Sequence, residues 1–479
     1  MTRILVVLPA VGCRRWQLEL VARLEAAGHG VSIAHAPPKL ERTAALDGLL
    51  RLESRRFGAS LASPCAPPPA SPSTPADLVI DLAGTSARTE PTLRIAFDGH
   101  ESLAAGLAAV MAGGGSAEIA LRLDGKTVAQ GRPMISDRVW LSRLANDILA
   151  GAVSLAVHGA NRFARGLAND EAGQASPVTG RKAFARHYPP FFARGIAARA
   201  REKLSRGKRP FYWQTAYRLI EGPGIAETGR LDGPPFTVLP DDGTRFYADP
   251  FVFAHEGRTF LFVEEFPYAT GRGVLSVAEL GPDGRFGTPR VVIEEPHHLS
   301  YPQVFAHGGE IYMLPESAAG RELVLYRARS FPDQWVRERV LLAGRDINDA
   351  TLLEHEGRFW LFGTERFGWG SASDTMVAFH APALHGPWTS HPLNPLRVDH
   401  SAARPGGAFL QTAEGVFLPV QDGSQAYGGG LGLMRLEGLD EHAVRFGPVR
   451  PIAPGPAWAR RGIHTLNRAG AVEAIDSAG

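Results

Sequence analysis

Acidic, basic and aromatic side chains recur at the start of five similar stretches in the second half of this 479-residue chain. In each stretch a polar residue precedes a short apolar run, a tight turn and a second apolar run. The residues that open the stretches are Asp249, Tyr301, Asp349, Arg404 and His464. Asp and His can exchange protons, and Arg can bind an anion. Such a set would suit acid–base chemistry or recognition of a polar ligand if the fold brought the five together.

Acidic residues also close the second apolar run of several stretches. They are Glu264, Glu265, Glu316, Glu365 and Asp422. Carboxyl groups that gather at one place repel one another and raise one another's pKa, which suits proton transfer. The catalytic candidates predicted from both sets are Asp249, Asp349, Glu316 and Glu365.

Substrate-binding candidates come from the same sets and from two Gly-rich loops. Trp369 lies in Phe-Gly-Trp-Gly-Ser and Tyr427 in Gln-Ala-Tyr-Gly-Gly-Gly, and aromatic rings in such loops could stack on a sugar face. The predicted substrate-binding residues are Tyr301, Arg404, Asp422, His464, Trp369 and Tyr427. The alternative for Asp249 and Asp349 is that they cap β-turns.

The stretches that carry these residues have the pattern of β-hairpins. In residues 247–266, two apolar runs flank Glu256-Gly257, and a turn that contains Gly is typical of a hairpin. The opening residues recur about every 50 positions, which is the repeat length of a propeller blade. The pattern predicts an all-β five-bladed propeller over residues 211–479. Because the inner strands of a propeller meet at one axis, the five opening residues would lie near one mouth.

The first part of the chain has a different pattern. A buried apolar strand at residues 3–9 is followed by helical periodicity over residues 16–27 and by a second strand at residues 31–34. This order predicts a Rossmann-like α/β domain over residues 1–175. The turn after the first strand lacks G-x-G-x-x-G, so a dinucleotide site is not indicated. Further predicted elements are helices at residues 40–57 and 139–156, strands at 78–82 and 93–97, and a hairpin formed by 118–123 and 127–129.

Composition bounds the class of protein. The net charge of +2 gives no field that would attract nucleic acid. Two cysteines, Cys13 and Cys65, provide neither a disulfide framework nor a Cys-type zinc site. No apolar run reaches the roughly 18 residues of a membrane span, and the N-terminus lacks a signal-peptide cleavage pattern. We therefore expect a cytoplasmic protein with no nucleic-acid partner, no metal and no cofactor.

Residues 176–210 are predicted to form a basic linker between the two domains. In residues 181–209, Lys and Arg outnumber a single acid, Glu202. One interpretation is a solvated helix. The other is a surface that contacts anionic glycolipid or membrane headgroups and places the protein at the inner membrane surface.

The N-terminal domain resembles formyltransferases that use a tetrahydrofolate donor. The resemblance rests on Asp-Leu-Val-Ile-Asp-Leu-Ala-Gly, on Arg-Ile-Ala-Phe-Asp-Gly-His-Glu and on the hairpin around Asp124-Gly125. It implies an Asn, a His two residues on and an Asp in the hairpin. Asp124 matches the Asp by position, but Asn-x-His is absent from residues 96–100, so the domain is expected to be degenerate. Formyl-tetrahydrofolate would be a cofactor only if the domain were active. The alternative is half of a two-Rossmann glycosyltransferase, although no second nucleotide-binding half follows.

The predicted propeller carries a second resemblance. Tyr-Ala-Asp-Pro-Phe-Val-Phe, Tyr-Met-Leu-Pro-Glu-Ser and Asn-Asp-Ala-Thr-Leu-Leu are similar to the N-terminal domain of plant glucosamine inositolphosphorylceramide transferase. That domain is related in architecture to the five-bladed glycosidases of family 43. The resemblance implies that glycosyl transfer belongs to a separate C-terminal domain of the plant enzyme, which we expect this chain to lack.

The likeness to family 43 implies roles for residues by blade: a base Asp in the first blade, an orienting Asp in the third and an acid Glu in the fourth. Asp249 and Asp349 match the first two roles, whereas Arg404 stands where the acid is expected. An Arg stays protonated and cannot act as a general acid. This departure favours a site that binds an anionic or phosphorylated sugar through Arg404.

Three functions remain open. The first is a carbohydrate-active propeller that acts on a glycan or glycolipid in glycoconjugate or envelope polysaccharide biosynthesis, either glycoside hydrolase-like or associated with glycosyl transfer. The second is a non-catalytic glycan-binding scaffold. The third is an active sugar N-formyltransferase whose propeller selects the substrate. The carboxylates support the first, Arg404 favours the second, and the missing Asn-x-His element argues against the third.

Overall fold

The computed structural model divides the chain into two compact units. The structure describes residues 1–37, 44–72, 75–85, 89–113, 117–167, 184–206, 211–460 and 462–478. Unit 1 comprises Met1–Lys208, Phe367–Thr375 and Leu393–Asp399. Unit 2 comprises Arg209–Arg366, Met376–Pro392 and His400–Gly479.

Unit 1 is built on a six-stranded mixed sheet with helices. The strands are β1 (Arg3–Pro9), β2 (Gly30–Ala36), β3 (Leu78–Asp81), β4 (Thr92–Phe97), β5 (Ile119–Leu123) and β6 (Lys126–Gly131). The helices are α1 (Arg15–Ala26), α2 (Ala44–Phe57), α3 (Leu103–Ala112), α4 (Leu141–Phe163) and α5 (Phe184–Arg206). The sheet order is β2-β1-β3-β4-β5-β6. The first four strands pair in parallel, and β5 and β6 pair antiparallel.

The predicted β-α-β order and the hairpin are present in unit 1. Asp124 and Gly125 form the hairpin turn with φ values of +49° and +85°, which a two-residue turn of the mirror-image type requires. The sequence missed α3, whose apolar residues show no helical periodicity because nearly every side of the helix is buried. Gly159 in α4 allows a close approach, since a Cβ there would lie 2.5 Å from Leu121 Cδ1.

The basic segment is described only in its central part. Residues 176–183 and 207–210 of the predicted linker lie outside the described residues. Between them the chain forms α5, a 23-residue helix. Across the part of the chain that the structure describes, no helix combines the length and apolar character needed to span a bilayer.

A buried carboxyl group in α4 should make the stability of unit 1 depend on pH. Asp147 accepts a hydrogen bond from the Ser136 backbone N–H at 2.7 Å. Burial, together with the nearby Asp374 carboxylate, raises the pKa of Asp147 to about 7. The folded state therefore binds a proton more tightly than the unfolded chain, whose Asp pKa is about 3.9. Stability should fall as the pH rises between these two values.

Asp147→Asn should remove much of this dependence, because the amide oxygen can still accept the Ser136 N–H. Between pH 5 and pH 8 we expect the wild type to lose up to about 2–3 kcal/mol more stability than the variant. Urea denaturation at several pH values measures this difference. Parallel pH profiles for the two proteins would contradict the assignment.

The described residues of unit 2 form five β-sheets and two short helical segments. Its strands are β7 (Trp213–Leu219), β8 (Thr237–Val238), β9 (Arg245–His255), β10 (Arg258–Pro267), β11 (Val274–Glu279), β12 (Arg290–Ile293), β13 (Ser300–His307), β14 (Glu310–Glu316), β15 (Glu322–Ser330), β16 (Gln334–Ala343), β17 (Ile347–His355), β18 (Arg358–Glu365), β19 (Thr375–Ala381), β20 (Thr389–Ser390), β21 (Arg397–Val398), β22 (Leu410–Thr412), β23 (Gly415–Asp422), β24 (Gly430–Leu439), β25 (Val444–Phe446), β26 (Arg450–Pro451), β27 (Thr465–Ala469) and β28 (Val472–Ala478). The helical segments are α6 (Ile225–Thr228) and a 3₁₀ turn at Ala318–Gly320. By the division given above, Thr375 of β19 and all of β21 are grouped with unit 1.

The five sheets are the blades of the predicted propeller. Blades 1 to 4 consist of β9–β12, β13–β16, β17–β21 and β22–β26. Blade 5 has the strand order β27-β28-β7-β8, so its strands come from both ends of unit 2. The strand β28 pairs along its whole length with β7, which completes the blade. The five-bladed prediction is confirmed.

The inner hairpins of blades 1 to 3 have the predicted turns. Glu256-Gly257 has φ values of +49° and +74°, and Glu356-Gly357 has +50° and +74°. In blade 2 the same positions are Gly308-Gly309, with +60° and +83°. Two successive positive φ angles give the mirror-image turn whose twist matches that of paired strands.

Candidate functional site

The inner strands of blades 1 to 3 each contain a bulge at the predicted opening residue. Asp249, Tyr301 and Asp349 have φ angles of +48°, +51° and +47°. The pairing register of each inner hairpin shifts at this point. Residues other than Gly seldom adopt this left-handed conformation, and bulges redirect side chains next to functional sites. The three repeats therefore open at equivalent places, as the sequence pattern predicts.

A cavity of about 460 Å³ is lined by residues of blades 1, 2, 4 and 5. We call it the mouth cavity. Aromatic rings and ionisable groups line it together. The lining residues are Phe211, Trp213, Phe246, Ala248, Asp249, Glu264, Phe266, Tyr268, His298, Ser300, Glu316, Arg404, Tyr427 and His464.

Asp249 and His464 form one charged cluster of the cavity with Asp476. His464 Nδ1 lies 3.4 Å from Asp249 Oδ1 and 3.5 Å from Asp476 Oδ2. Asp476 is completely buried and accepts hydrogen bonds from the Asp249 N–H at 2.9 Å and the Thr465 N–H at 2.8 Å. Asp476 thereby ties blade 5 to blade 1 and fixes the two residues that face the cavity.

The cluster has shifted pKa values. Burial alone would lower the pKa of His464, but Tyr427, Asp476 and Asp249 outweigh it and hold this pKa well above its ordinary value. Burial raises the pKa of Asp249, although His464 opposes the shift. Among the described residues, Asp249 Oδ1 and both ring nitrogens of His464 have no hydrogen-bond partner. These groups are placed to bond a ligand.

Asp249, His464 and Asp476 are also the residues that could hold a metal ion, since one ligand atom from each lies within 4.8 Å of the others. The fit is poor because Asp476 Oδ2 already accepts the Asp249 N–H and Oδ1 accepts the Thr465 N–H. A protonated His464 balances the two carboxylates without an ion. The sequence prediction of no metal site stays a prediction.

Glu264 and His298 form a second polar pair in the cavity. His298 Nδ1 accepts the Gly273 N–H at 2.9 Å, so its Nε2 carries the proton and points to Glu264 Oε1 at 3.3 Å. Burial and neighbouring His297 lower the pKa of His298 and keep it neutral. Burial, followed by the Asp249 and Glu316 carboxylates, raises the pKa of Glu264 well above its ordinary value. Glu264 therefore holds its proton to higher pH than an ordinary Glu.

Arg404 is held by carboxylates from two other blades. Its Nε donates to Asp349 Oδ2 at 2.6 Å, and its Nη2 donates to Asp349 Oδ1 at 3.2 Å and Glu316 Oε2 at 3.4 Å. Gln421 adds a 2.6 Å hydrogen bond to Asp349 Oδ2. The guanidinium also lies 5.3 Å from the centre of the Tyr427 ring. Arg404 therefore lines the cavity with much of its charge already compensated.

The pKa values of the two carboxyl groups beside Arg404 are shifted in opposite directions. Burial alone would raise the pKa of Asp349, but the Arg404 guanidinium outweighs it and holds this pKa below its ordinary value. Burial and the Asp349 carboxylate raise the pKa of Glu316 well above its ordinary value. Asp349 is therefore the stronger acid of the pair, and Glu316 is the weaker one.

Aromatic rings form two patches in the cavity wall. The Trp213 and His464 rings are tilted by 35° to each other, and their centroids are 4.4 Å apart. Trp213 also meets the Tyr427 ring edge-on, with 5.8 Å between the centroids. Phe246 and Phe266 stack at 4.9 Å. Rings next to carboxyl groups are the surroundings that a sugar requires, because its C–H faces are apolar and its hydroxyls are polar.

The structure brings together half of the residues predicted from the sequence. Those that line the mouth cavity are Asp249, Glu316, Arg404, Tyr427 and His464. Those outside the lining are Tyr301, Asp349, Glu365, Asp422 and Trp369. Asp349 lies directly behind the lining and positions Arg404. Trp369 belongs to a segment of unit 1, and the Asp422 carboxylate accepts the Ser424 N–H at 2.9 Å.

Tyr301 is fully buried and has a structural environment. Its hydroxyl accepts the Gly407 N–H at 2.6 Å and lies 2.9 Å from Thr351 Oγ1. Its own backbone N–H lies 3.3 Å from Asp249 Oδ2. The side chain thus joins blades 2, 3 and 4 behind the cavity.

Strand alternation explains why Glu365 lies off the cavity. Glu264 and Glu316 each pair with the residue just before a bulge, whereas Glu365 pairs with the residue one position earlier. A shift of one residue turns a strand side chain to the other face. Glu365 is equivalent to Glu265, and both bind an Arg, Arg345 and Arg245 respectively.

Several cavity residues were missed by the sequence predictions. Glu264 stands in the predicted set of strand-closing acids but was not chosen as a site residue. The others are Phe211, Trp213, Phe246, Ala248, Phe266, Tyr268, His298 and Ser300. For Glu264 the signal was the alternation of Glu264-Glu265, which places one side chain inward and its neighbour outward. The remaining residues follow only from how the blades close.

The predicted formyltransferase features lie in unit 1. Asp124 accepts the Thr92 N–H at 2.9 Å and serves the hairpin turn. A cavity of about 100 Å³ lies at the carboxyl ends of β1, β3 and β4, lined in part by Arg14, Asp81 and Arg94. Parallel sheets often bind ligands at this edge. The formyltransferase resemblance and its degenerate site stay predictions.

Unit 2 is thus a five-bladed β-propeller with a carboxyl-lined and aromatic-lined mouth. Residues 240–452 match the family model described as glucosamine inositolphosphorylceramide transferase 1, N-terminal. Glucosamine inositolphosphorylceramide transferase 1 of Oryza sativa subsp. indica is 35% identical over 220 residues, which cover 44% of this chain and 29% of that protein. The Arabidopsis thaliana protein of the same name is 33% identical over 207 residues, covering 42% and 27%. This chain therefore matches less than a third of the length of these relatives.

A solved structure shows a fainter likeness. The crystal structure of a thermostable family-43 glycoside hydrolase is 14% identical, with a TM-score of 0.35, and the match covers 44% of this chain and 78% of that one. A likeness of this size has no bearing on function. The match to the family model and the two plant proteins places unit 2 beside carbohydrate-related and glycolipid-related proteins.

Proposed function

We propose that the mouth cavity binds a sugar residue of a glycan or glycolipid, and that the protein acts in glycoconjugate biosynthesis. One observation carries this proposal. Asp249 Oδ1 and His464 Nδ1 form a buried ion pair at 3.4 Å in the wall of an aromatic-lined cavity, and among the described residues His464 Nε2 has no hydrogen-bond partner. An unpaired buried polar group is costly, and a sugar hydroxyl would satisfy it while the sugar faces stack on Trp213 or Phe246.

The relatives support the same class of ligand. Their name joins glucosamine with inositolphosphorylceramide, an amino sugar and a phosphosphingolipid. The matched region contains Asp249, Glu264, Glu316, Arg404 and Tyr427. The proposal takes from these proteins only a glycolipid or glycan as ligand class, because the match covers 29% of the rice protein.

A more specific form of the proposal is that the sugar is anionic and is bound by Arg404. The guanidinium is fully paired with Asp349 and more loosely with Glu316. With Glu316 protonated, the Arg404 charge would be offset by Asp349 alone, and the less negative cavity could accept a phosphate or a uronate. With Glu316 ionised, the cavity would favour a neutral or cationic sugar.

A second candidate is cleavage or transfer of a glycosidic bond in the same cavity. The observation that favours it is that Glu264, whose pKa is held well above its ordinary value, lines the same cavity as Asp249, whose charged form is supported by His464. Glu264 would give its proton to the leaving glycosidic oxygen as the C–O bond breaks. Asp249 would take a proton from the water or sugar hydroxyl that attacks the anomeric carbon.

Calorimetry with a glucose, glucosamine, glucuronic acid and glucose phosphate series tests the binding proposal. We expect at least one member to bind the wild type, and the preferred charge decides between the neutral, cationic and anionic forms. Failure of every sugar and of a glycolipid headgroup series to bind would contradict the proposal.

Glu264→Gln tests the catalytic candidate. The amide preserves shape but cannot donate an acidic proton, so any turnover should fall by about 10²–10⁴-fold while sugar binding stays within a few-fold. Glu265→Gln is the matched control, because Glu265 faces away from the cavity and should leave turnover near the wild-type rate. Product analysis by mass spectrometry measures both. Equal turnover in Glu264→Gln and the wild type would exclude Glu264 as the acid.

A further inference from the structure

The chain has two cysteines, and both lie in one corner of unit 1, far apart in sequence. Cys13 precedes α1 and is completely buried in the main core of unit 1. Cys65 is partly buried and packs against the same core.

The backbone places the two cysteines opposite each other in a short antiparallel pair. The Cys65 N–H donates to the Cys13 carbonyl at 2.9 Å, and the Arg15 N–H donates to the Ser63 carbonyl at 3.0 Å. Between these bonds, Arg14 and Pro64 form an isolated antiparallel bridge. Cys13 and Cys65 are the next directly opposed residues in this register.

Directly opposed residues in an antiparallel pair have Cα atoms about 4.5–5.5 Å apart and side chains on the same face. Disulfides are found at Cα separations of about 4.4–6.8 Å. The Cys65 thiol is close enough to contribute to the raised pKa of Cys13. A bond between them therefore needs no rearrangement of the backbone.

We propose that Cys13 and Cys65 are a thiol–disulfide site that a small-molecule disulfide such as oxidised glutathione closes. In the first step the half-buried Cys65 sulfur, as its thiolate, attacks one glutathione sulfur. A mixed disulfide forms, and one reduced glutathione leaves. In the second step Cys13 loses its proton and attacks Cys65 Sγ, and the second glutathione leaves. Two protein thiols are oxidised, and one glutathione disulfide is reduced to two thiols.

The second step should be slow and should depend on pH. Burial, together with Cys65, raises the pKa of Cys13 to about 12. The thiolate is the nucleophile, so below this pKa its fraction rises about tenfold per pH unit. The adjacent Arg14 directs its guanidinium elsewhere, to Asp47 Oδ1 at 2.8 Å and to the Ala62 carbonyl.

Closure would fasten the Leu61–Cys65 segment to the start of α1. The segment already accepts the first backbone N–H groups of the helix, at Ser63 and Leu61. A covalent link across this contact restricts the unfolded chain, so the oxidised protein should melt several degrees higher than the reduced protein.

The test is incubation of the full chain with oxidised glutathione, followed by intact mass and non-reducing peptide mapping. We expect a monomer that has lost two hydrogen atoms, carries no glutathione and contains a Cys13–Cys65 cross-linked peptide. Its rate of closure should rise about tenfold from pH 7 to pH 8. Cys65→Ser should acquire neither cross-link nor adduct, since Cys13 is buried, and circular dichroism confirms that this variant is folded.

Three results would overturn the proposal. The first is a stable glutathione adduct on Cys65 that never resolves, even at pH 9. The second is a disulfide-linked dimer through Cys65. The third is reaction of glutathione with Cys13 in Cys65→Ser, which would show that Cys13 is not shielded.

Discussion

Replacing Arg404 by alanine should lower the free energy of unfolding of unit 2 by about 3–5 kcal/mol, because removing one partner of a buried ion pair leaves the other charge uncompensated. The side chains of Arg404 and Asp349 are 9% and 2% exposed, so water could do little to solvate the Asp349 carboxylate that remained. Its pKa, now held low by Arg404, should rise. Urea denaturation followed by tryptophan fluorescence measures the loss.

Arg337→Ala is the control for this prediction. The Arg337 side chain is 42% exposed and pairs with Glu322 at 2.8 Å, and exposed pairs contribute about 0–1 kcal/mol. A second control is the double variant Arg404→Met and Asp349→Asn, which removes both charges and should recover part of the stability. If Arg404→Ala lost no more stability than Arg337→Ala, the ion pair would not be an organising element of the propeller.

The repeat pattern predicted much of the fold because turns and strands depend on residues that are close together in sequence. Glu256-Gly257 and Glu356-Gly357 supply the residues that a tight hairpin turn needs, and apolar runs mark the strands on each side. Closure of blade 5 was not visible in the same way. The strands β7 and β28 are separated by nearly the whole of unit 2, and no local signal states that the ends of a chain will pair.

The candidate site was predicted only in part, because repeat spacing gives the approximate position of a residue but not the face of the strand on which it lies. Spacing identified Asp249, Arg404 and His464, since residues at equivalent positions of a propeller converge on the axis. Spacing could not resolve a shift of one residue, and Glu365 was chosen although its strand partner places it with Glu265 on the other face. One residue along a strand is sufficient to reverse the direction of a side chain.

Other residues of the site depend on tertiary contacts that no repeat position reveals. His298 reaches Glu264 from a loop between blades, and Gln421 supports Asp349 from blade 4. The positions of these two side chains depend on the residues that pack around them. The same burial contributes to the raised pKa values of Glu264 and Glu316, whereas Arg404 holds the pKa of Asp349 low.

The central claim is that the mouth cavity binds a sugar through Asp249. Asp249→Asn is the conservative change, because Asn tolerates the left-handed backbone at φ +48° and its amide oxygen can still accept the Tyr301 N–H. The variant removes the negative charge beside His464. Loss of a charge-assisted hydrogen bond costs about 1.5–3 kcal/mol, which is about a ten- to a hundredfold loss of affinity.

Asp422→Asn is the matched control, since Asp422 belongs to the acids predicted from the sequence but lies outside the cavity lining. The most direct measurement is the Kd of the best-bound sugar for the wild type and both variants by isothermal titration calorimetry. The account predicts a ten- to hundredfold weaker Kd for Asp249→Asn and a Kd within about twofold of wild type for Asp422→Asn. Unchanged affinity in a folded Asp249→Asn variant, or equal losses in both variants, would contradict it.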